Sequence, residues 1–194
     1  MRKLLAVLLL LPALALGQAY PSKPVRIVVP FPAGGPADIF GRGLAQGMSE
    51  RLGQPVLIEN VSGVGGVLGV DRAIKSPPDG YMLALNSAST VAIAPYSLSN
   101  LPYDVQKDFA LITVVVRVPE VLAVHPSVPV NSLAEFIAYA KANPGKINFG
   151  SAGGGSITHL AGELLKAEAK INMVHVAYKG AAPAVTDLVG GQVQ

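Results

Sequence analysis

The chain has 194 residues, 51% hydrophobic and 14% charged, with 21 glycines, 16 prolines and neither cysteine nor tryptophan. That apolar content excludes a disordered chain, and the lack of cysteine excludes disulfide staples and lipid attachment at a thiol. With Arg2 and Lys3 set aside, 13 basic residues face 12 acidic ones with no like-charged block, which excludes an electrostatic nucleic-acid surface.

Residues 1–19, MRKLLAVLLLLPALALGQA, join a positive start, an apolar run from Leu4 to Leu16 and small residues at Gly17 and Ala19. This is the pattern of a secretory signal peptide. The expected cut follows Ala19, with a cut after Ala15 or an uncleaved anchor as alternatives. The apolar run is short for a membrane span and is broken by Pro12.

Strands and helices then alternate. PVRIVVP (24–30) is β-branched and bounded by prolines, which predicts a buried strand. A helix is predicted over 36–53, with Ile39, Phe40, Leu44, Met48 and Leu52 as its apolar stripe and Gly53 as its stop. PVLIEN (55–60) predicts a second strand, followed by a glycine-rich turn and short helix, the turn PPDG (77–80) and a third strand, YMLALN (81–86). This order implies parallel pairing with helices on the sheet faces.

The pattern breaks into a polar loop over 96–108. FALITVVVRVPEVLAVHP (109–126) predicts two strands, or one long bent strand, leading into a second unit. A helix is predicted over 131–146, capped by Asn131 or Ser132, with Glu135 placed to close a capping box. Residues 147–169 repeat the opening design of strand, glycine loop and helix. A strand (172–178) and a short helix (181–191) follow, and the sequence stops at QVQ (192–194), which reads as an interruption of a longer protein.

Two junctions carry chemistry. In parallel α/β sheets ligands bind outside the carboxyl ends of strands, where the next helix offers unpaired N–H groups and the positive end of its dipole. In VVPFPAGGPADIFGR (28–42), Gly34 and Gly35 admit a ligand close to the backbone, and Pro36 suits a first helical position. The predicted result is an anion seat. GSAGGGSITH (150–159) forms a second, with Ser151 and Ser156 adding hydroxyls. Asp38 reads as a helix-end cap and Arg42 as the partner of a surface carboxylate.

Other motifs point nowhere. The glycines of 63–69 do not fit G-x-G-x-x-G, and no Walker Lys-Ser/Thr follows, so this turn is expected to pack and to wall a pocket. His125, His159 and His175 lack metal-ligand spacing, and no cofactor or metal is expected. Ser151 or Ser156 with His159 gives the alternative of an exported hydrolase, but the context is not G-x-S-x-G and no third member is evident.

YPSKPVRIVVPFPAGGPADIFGR, PPDGYMLALNSAS, INFGSAGGGSITHLAGELLKAEA and VAYKGAAPAVTDLVGGQVQ, in this order, resemble the Bug family of periplasmic receptors for tripartite tricarboxylate transporters. The resemblance implies an α/β fold of the two-domain periplasmic-binding-protein type (type II-like), with the second domain truncated. Its expected divisions are a first domain over 20–110, a connection over 111–124 and an incomplete second domain over 125–194. It implies a monomeric periplasmic receptor, not an enzyme, that closes on a small organic carboxylate and hands it to integral-membrane transporter subunits.

Carried onto this chain, the first-domain grip is Phe31, Pro32, Ala33, Gly34, Gly35 and Ala37, and the second-domain grip is Ser151, Ala152, Gly153, Gly154 and Ser156. Asn86, Ser87, Ser89 and Thr90 are expected to line the cleft, with Gly180 and Ala181 as lesser contributors. The chain departs from the family at 61–66, where RPGAGG is usual, and at 90–95, where THAINP is usual. Val91 and Ala94 thereby replace a histidine and an asparagine, which puts the usual ligand choice in doubt. If the chain is a truncated, non-functional piece instead, uncovered apolar strand surface and poor solubility are expected for 20–194.

Overall fold

The computed structural model describes residues 19–194, so the expected leader lies outside the described residues apart from Ala19. Strand β1 (Val25–Val29) is the centre of a three-stranded parallel sheet in the order β2-β1-β3. β2 spans Val56–Asn60 and β3 spans Met82–Ala84, and Ile27 lies opposite both Ile58 and Leu83. Val25, Ile27, Val28 and Val29 are almost fully buried, as befits a parallel strand covered on both faces.

Helix α1 (Pro36–Leu52) follows β1, with proline in its first turn, where the missing N–H costs nothing. Gly53 ends it in the left-handed region, φ 66°, and donates to the Ser49 carbonyl. The predicted stripe is only half correct. Leu44, Met48 and Leu52 pack with Ala45 on Val25, Ile27 and Val56, but Ile39 is 62% exposed and Phe40 39%. At this end the helix turns Asp38 and Gly41 inward. A Cβ on Gly41 would lie 3.1 Å from the Val29 side chain, so the helix start sits too close to the sheet for large residues.

A tight turn at Val64–Gly66 leads into α2 (Val67–Ile74). Val67 and Val70 form a second cluster with Ala94 and Tyr103. Residues 89–97, which carried no helix prediction, form a wide π turn (Ser89–Ile93) that runs into α3 (Ala94–Ser97).

The strands expected over 109–126 are absent. The stretch is irregular and pairs with no described strand, and Leu111, Ile112 and Val121 are 77–81% exposed. Its β-branched content favours a strand only where neighbouring strands receive it.

Helix α4 (Leu133–Ala142) has Ser132 as its cap: the hydroxyl accepts from the Glu135 N–H at 3.2 Å, and Glu135 accepts from the Asn131 N–H at 2.7 Å. This is the capping-box pattern with its carboxylate reaching one residue further back, to Asn131 instead of the cap Ser132. Then come β4 (Asn148–Ser151), α5 (Ile157–Ala169), β5 (Val174–Ala177) and α6 (Ala181–Val189). β4 and β5 pair in parallel, and Phe136, Ala140, Ile147, Ile171 and Met173 form the third core cluster.

Candidate functional site

The loops that leave the carboxyl ends of all five strands meet between the two sheets. The first, Phe31–Gly35, is held by Asp38 from within α1. Asp38 is 3% exposed, and its carboxylate accepts from the Gly34 N–H (2.9 Å), Arg42 Nε (2.9 Å) and Asn60 Nδ2 (3.0 Å). These bonds, led by the one from Arg42, lower its pKa to about 2. Asn60 also donates to the Phe31 carbonyl at 3.1 Å. Asp38 is thus the peg of the loop, and Arg42 pairs with this buried carboxylate and not with one at the surface.

The loop after β3 is braced from behind. Thr90 Oγ1 accepts from the Ser87 N–H (3.2 Å) and donates to the Ser87 carbonyl (2.9 Å). The buried Tyr103 hydroxyl donates to the Thr90 carbonyl at 2.8 Å, and burial pushes the phenol up to about 12. Asn86 Oδ1 and Ser87 Oγ are buried with no partner among the described residues. Such atoms are uncommon in folded proteins.

The second glycine loop is not the bare row of amides that its sequence predicts. Thr158 Oγ1 takes the Ala152 N–H (2.9 Å), Ser151 Oγ that of Gly153 (3.1 Å), His159 Nδ1 that of Gly155 (3.2 Å) and Ser156 Oγ that of His159 (3.3 Å). The Ile157 N–H goes to Ser89 Oγ of the other unit at 3.0 Å. Ser151, Gly153 and Ser156 are buried, and Gly154 alone of the predicted grip in this loop is exposed.

Open main-chain amides beside these loops lie elsewhere. Among the described residues no hydrogen bond is made by the main-chain N–H of Ala33, Ala37, Gly154, Ala181 or Ala182. A Cβ on Gly180 would collide with the Pro32 ring, and one on Gly35 would lie 3.9 Å from the Ala182 nitrogen. The first turns of α1 and α6 therefore lie side by side, and Gly180 and Ala181, ranked as lesser contributors on sequence, sit at their junction. Gly65 approaches the Gly154 carbonyl, and Gly66 packs under Thr90 and Phe31, so the 63–66 turn is closely packed.

The Ser/His alternative is also rearranged. Ser151 Oγ lies 2.6 Å from His175 Nε2, not against His159, and His175 stacks on His159 with centroids 3.9 Å apart. Ser151 is 1% exposed and no described carboxylate hydrogen-bonds to His175. The group is built into the loop and lacks both access and an orienting acid. Asn60, Thr158 and His175 were missed on sequence. A polar residue ending an apolar strand, as Asn60 does, was the one available signal.

The family model for the tripartite tricarboxylate transporter family receptor matches residues 40–194. This chain belongs to that receptor family. Protein BugT of Bordetella pertussis is a relative 43% identical over 177 residues, which are 90% of this chain and 54% of BugT. Among solved structures, Rpa4515 of R. palustris with adipate is 36% identical with a TM-score of 0.87, covering 90% of this chain and 58% of that one. MatC (Rpa3494) from Rhodopseudomonas palustris with bound malate is 34% identical with a TM-score of 0.83, covering 90% and 59%. The Bug resemblance and the α/β fold are thus both borne out, and this is a family of transport receptors and not of enzymes. The chain spans between half and three fifths of the length of these relatives.

Proposed function

We propose that the chain supplies the ligand-gripping loops of a periplasmic, monomeric receptor for a small carboxylate, which it presents to the membrane subunits of a tripartite tricarboxylate-type transporter. The grip has two sides, one from a first domain (20–110) and one from a second (125–194), joined through 111–124. The observation that carries the reading is the adjacent pair of helix starts with open amides, α1 with Ala37 and the preceding loop residue Ala33, and α6 with Ala181 and Ala182. Both present partial positive charge to one small space, which suits a carboxylate group. Asn86 and Ser87 offer unpaired polar atoms for the rest of the ligand. The adipate and malate of the solved relatives are small carboxylates and support the choice of class.

Closure is a hinge motion of the 109–124 stretch. Because each side holds only part of the anion-binding set, the ligand favours the state that brings both onto it, and that difference is what a permease can read. The signal peptide expected at 1–19, cut after Ala19, delivers the receptor to the periplasm. Calorimetry of the protein against a panel of mono- and dicarboxylates that includes adipate and malate tests the reading. Binding of at least one acid, with closure seen as a smaller radius of gyration, is expected. No heat across the panel, or binding of uncharged analogues alone, overturns it.

A further inference from the structure

The start of α5 resembles a capping box, with a histidine in the place of the usual glutamate and Gly155, one residue before the cap Ser156, as its donor. Ser156 accepts from the His159 N–H, and His159 Nδ1 reaches back to accept from the Gly155 N–H at 3.2 Å. A glutamate in this role stays an acceptor through the neutral range. An imidazole nitrogen accepts only while it is unprotonated.

We propose that His159 is a positioning residue whose neutral imidazole holds the second glycine loop in its gripping shape, and that protonation of this imidazole releases the loop. Two changes act together. Protonated Nδ1 becomes a donor, so Gly155 N–H and Nδ1–H point at one another with no acceptor between them. The new positive charge also sits at the helix N-terminus, where the dipole disfavours it. His175 deepens the effect: its ring is stacked on His159 at 16°, so a charge on either ring opposes a charge on the other.

The surroundings are accounted for element by element. From α5 itself, Glu163 Oε1 lies 3.9 Å from His159 Nε2 and is also bound by Lys166 at 2.8 Å. From β4 come Ser151 and Phe149, and from α3 Ser97 beside Gly155; none of these is ionisable in this range. Among the described residues Glu163 is the one carboxylate beside the ring, and Lys166 binds it. Burial first, then the neighbouring His159, hold His175 below the ordinary histidine range.

Loop release concerns the gripping role proposed above, so the ligand part of the inference rests on that reading, whereas the loop part does not. The test follows amide-exchange protection of Gly155, corrected for intrinsic rate, and the ring protons of His159 and His175 from neutral pH down to the acid limit of folding. Protection is expected to fall by about tenfold as His159 titrates, the size of one lost hydrogen bond. His159→Asn, which keeps an acceptor at the Nδ1 position, is expected to flatten this profile, and His159→Leu to give low protection at every pH. Calorimetry with malate is run alongside at both ends of the range.

Gly155 protection that is unchanged through the His159 titration overturns the inference. So does a His159 ring that stays neutral to the acid limit of folding, or a His159→Asn profile like that of the wild type. A protein that binds neither malate nor adipate but shows the loop titration removes the receptor reading and leaves the positioning role standing.

Discussion

The hydroxyl of Ser89, at the start of the π turn in the first unit, accepts the first helical N–H of α5, Ile157, at 3.0 Å. One unit thus caps a helix of the other. Ser89 is 3% exposed, so the bond is shielded from water. Ser89→Ala leaves the Ile157 amide without a partner and is expected to cost about 1–2 kcal/mol. Part of that loss falls on the approach of the two units, so a weaker carboxylate affinity and a larger mean radius are expected together. Scanning calorimetry and solution scattering check it; a loss of stability with unchanged closure would confine Ser89 to folding.

Ala181 stands at the first position of α6 with its N–H open. Proline is well tolerated there and deletes that donor. Ala181→Pro is therefore expected to weaken carboxylate binding by about threefold to tenfold, a typical hydrogen-bond increment, with little change in the thermal midpoint. Titration calorimetry beside a melting curve separates the two effects, and undiminished affinity would remove α6 from the grip.

How much of this was legible beforehand depends on distance along the chain. The capping box of Ser132 and Glu135, the glycine stop at Gly53 and the proline at the head of α1 are set by neighbours a few residues apart, and each was readable. Ser89 over Ile157, Asn60 under Phe31 and Ser151 against His175 join residues 24 to 68 apart, and nothing local marks them. The composition of 150–159 even misled. Its serines look like hydroxyls added to a bare loop, yet they, with Thr158 and His159, are spent on the loop's own amides. The plainer sequence KGAAPA (179–184) carries the more open helix start.

Asp38 sets an acid limit on the first loop. Its pKa in the folded protein is lowered to about 2 from an ordinary carboxyl value of 3.8. A depressed folded value means that the stabilisation is complete above the unfolded pKa and is lost as pH falls through the folded one. The stability gap between wild type and Asp38→Asn is therefore expected to narrow between about pH 4 and about pH 2. Urea midpoints across that range test it, and a gap that stays constant would show that the carboxylate charge is not what holds Gly34 and Arg42.

Two helical glycines are expected to respond oppositely to the same change. A Cβ on Gly69 would lie 2.5 Å from the Val61 carbonyl oxygen and 2.6 Å from Pro30 Cα, both main chain. Gly69→Ala must push α2 off the sheet, at a cost of at least about 2 kcal/mol. At Gly47, inside α1, nothing lies within 4 Å of the added carbon. Gly47→Ala is expected to gain about 0.5–1 kcal/mol from helix propensity. Denaturant unfolding of the pair measures both signs.

The strand order β2-β1-β3 has a lasting consequence. The chain leaves β1 toward one side for β2, then recrosses to the other side for β3, so with right-handed crossovers α1 and α2 cover opposite faces. Directly beyond Val29 the two connections diverge, and an opening is left there by geometry alone. Residues around that opening can therefore change, and alter which guest is welcome, without ever relocating the doorway.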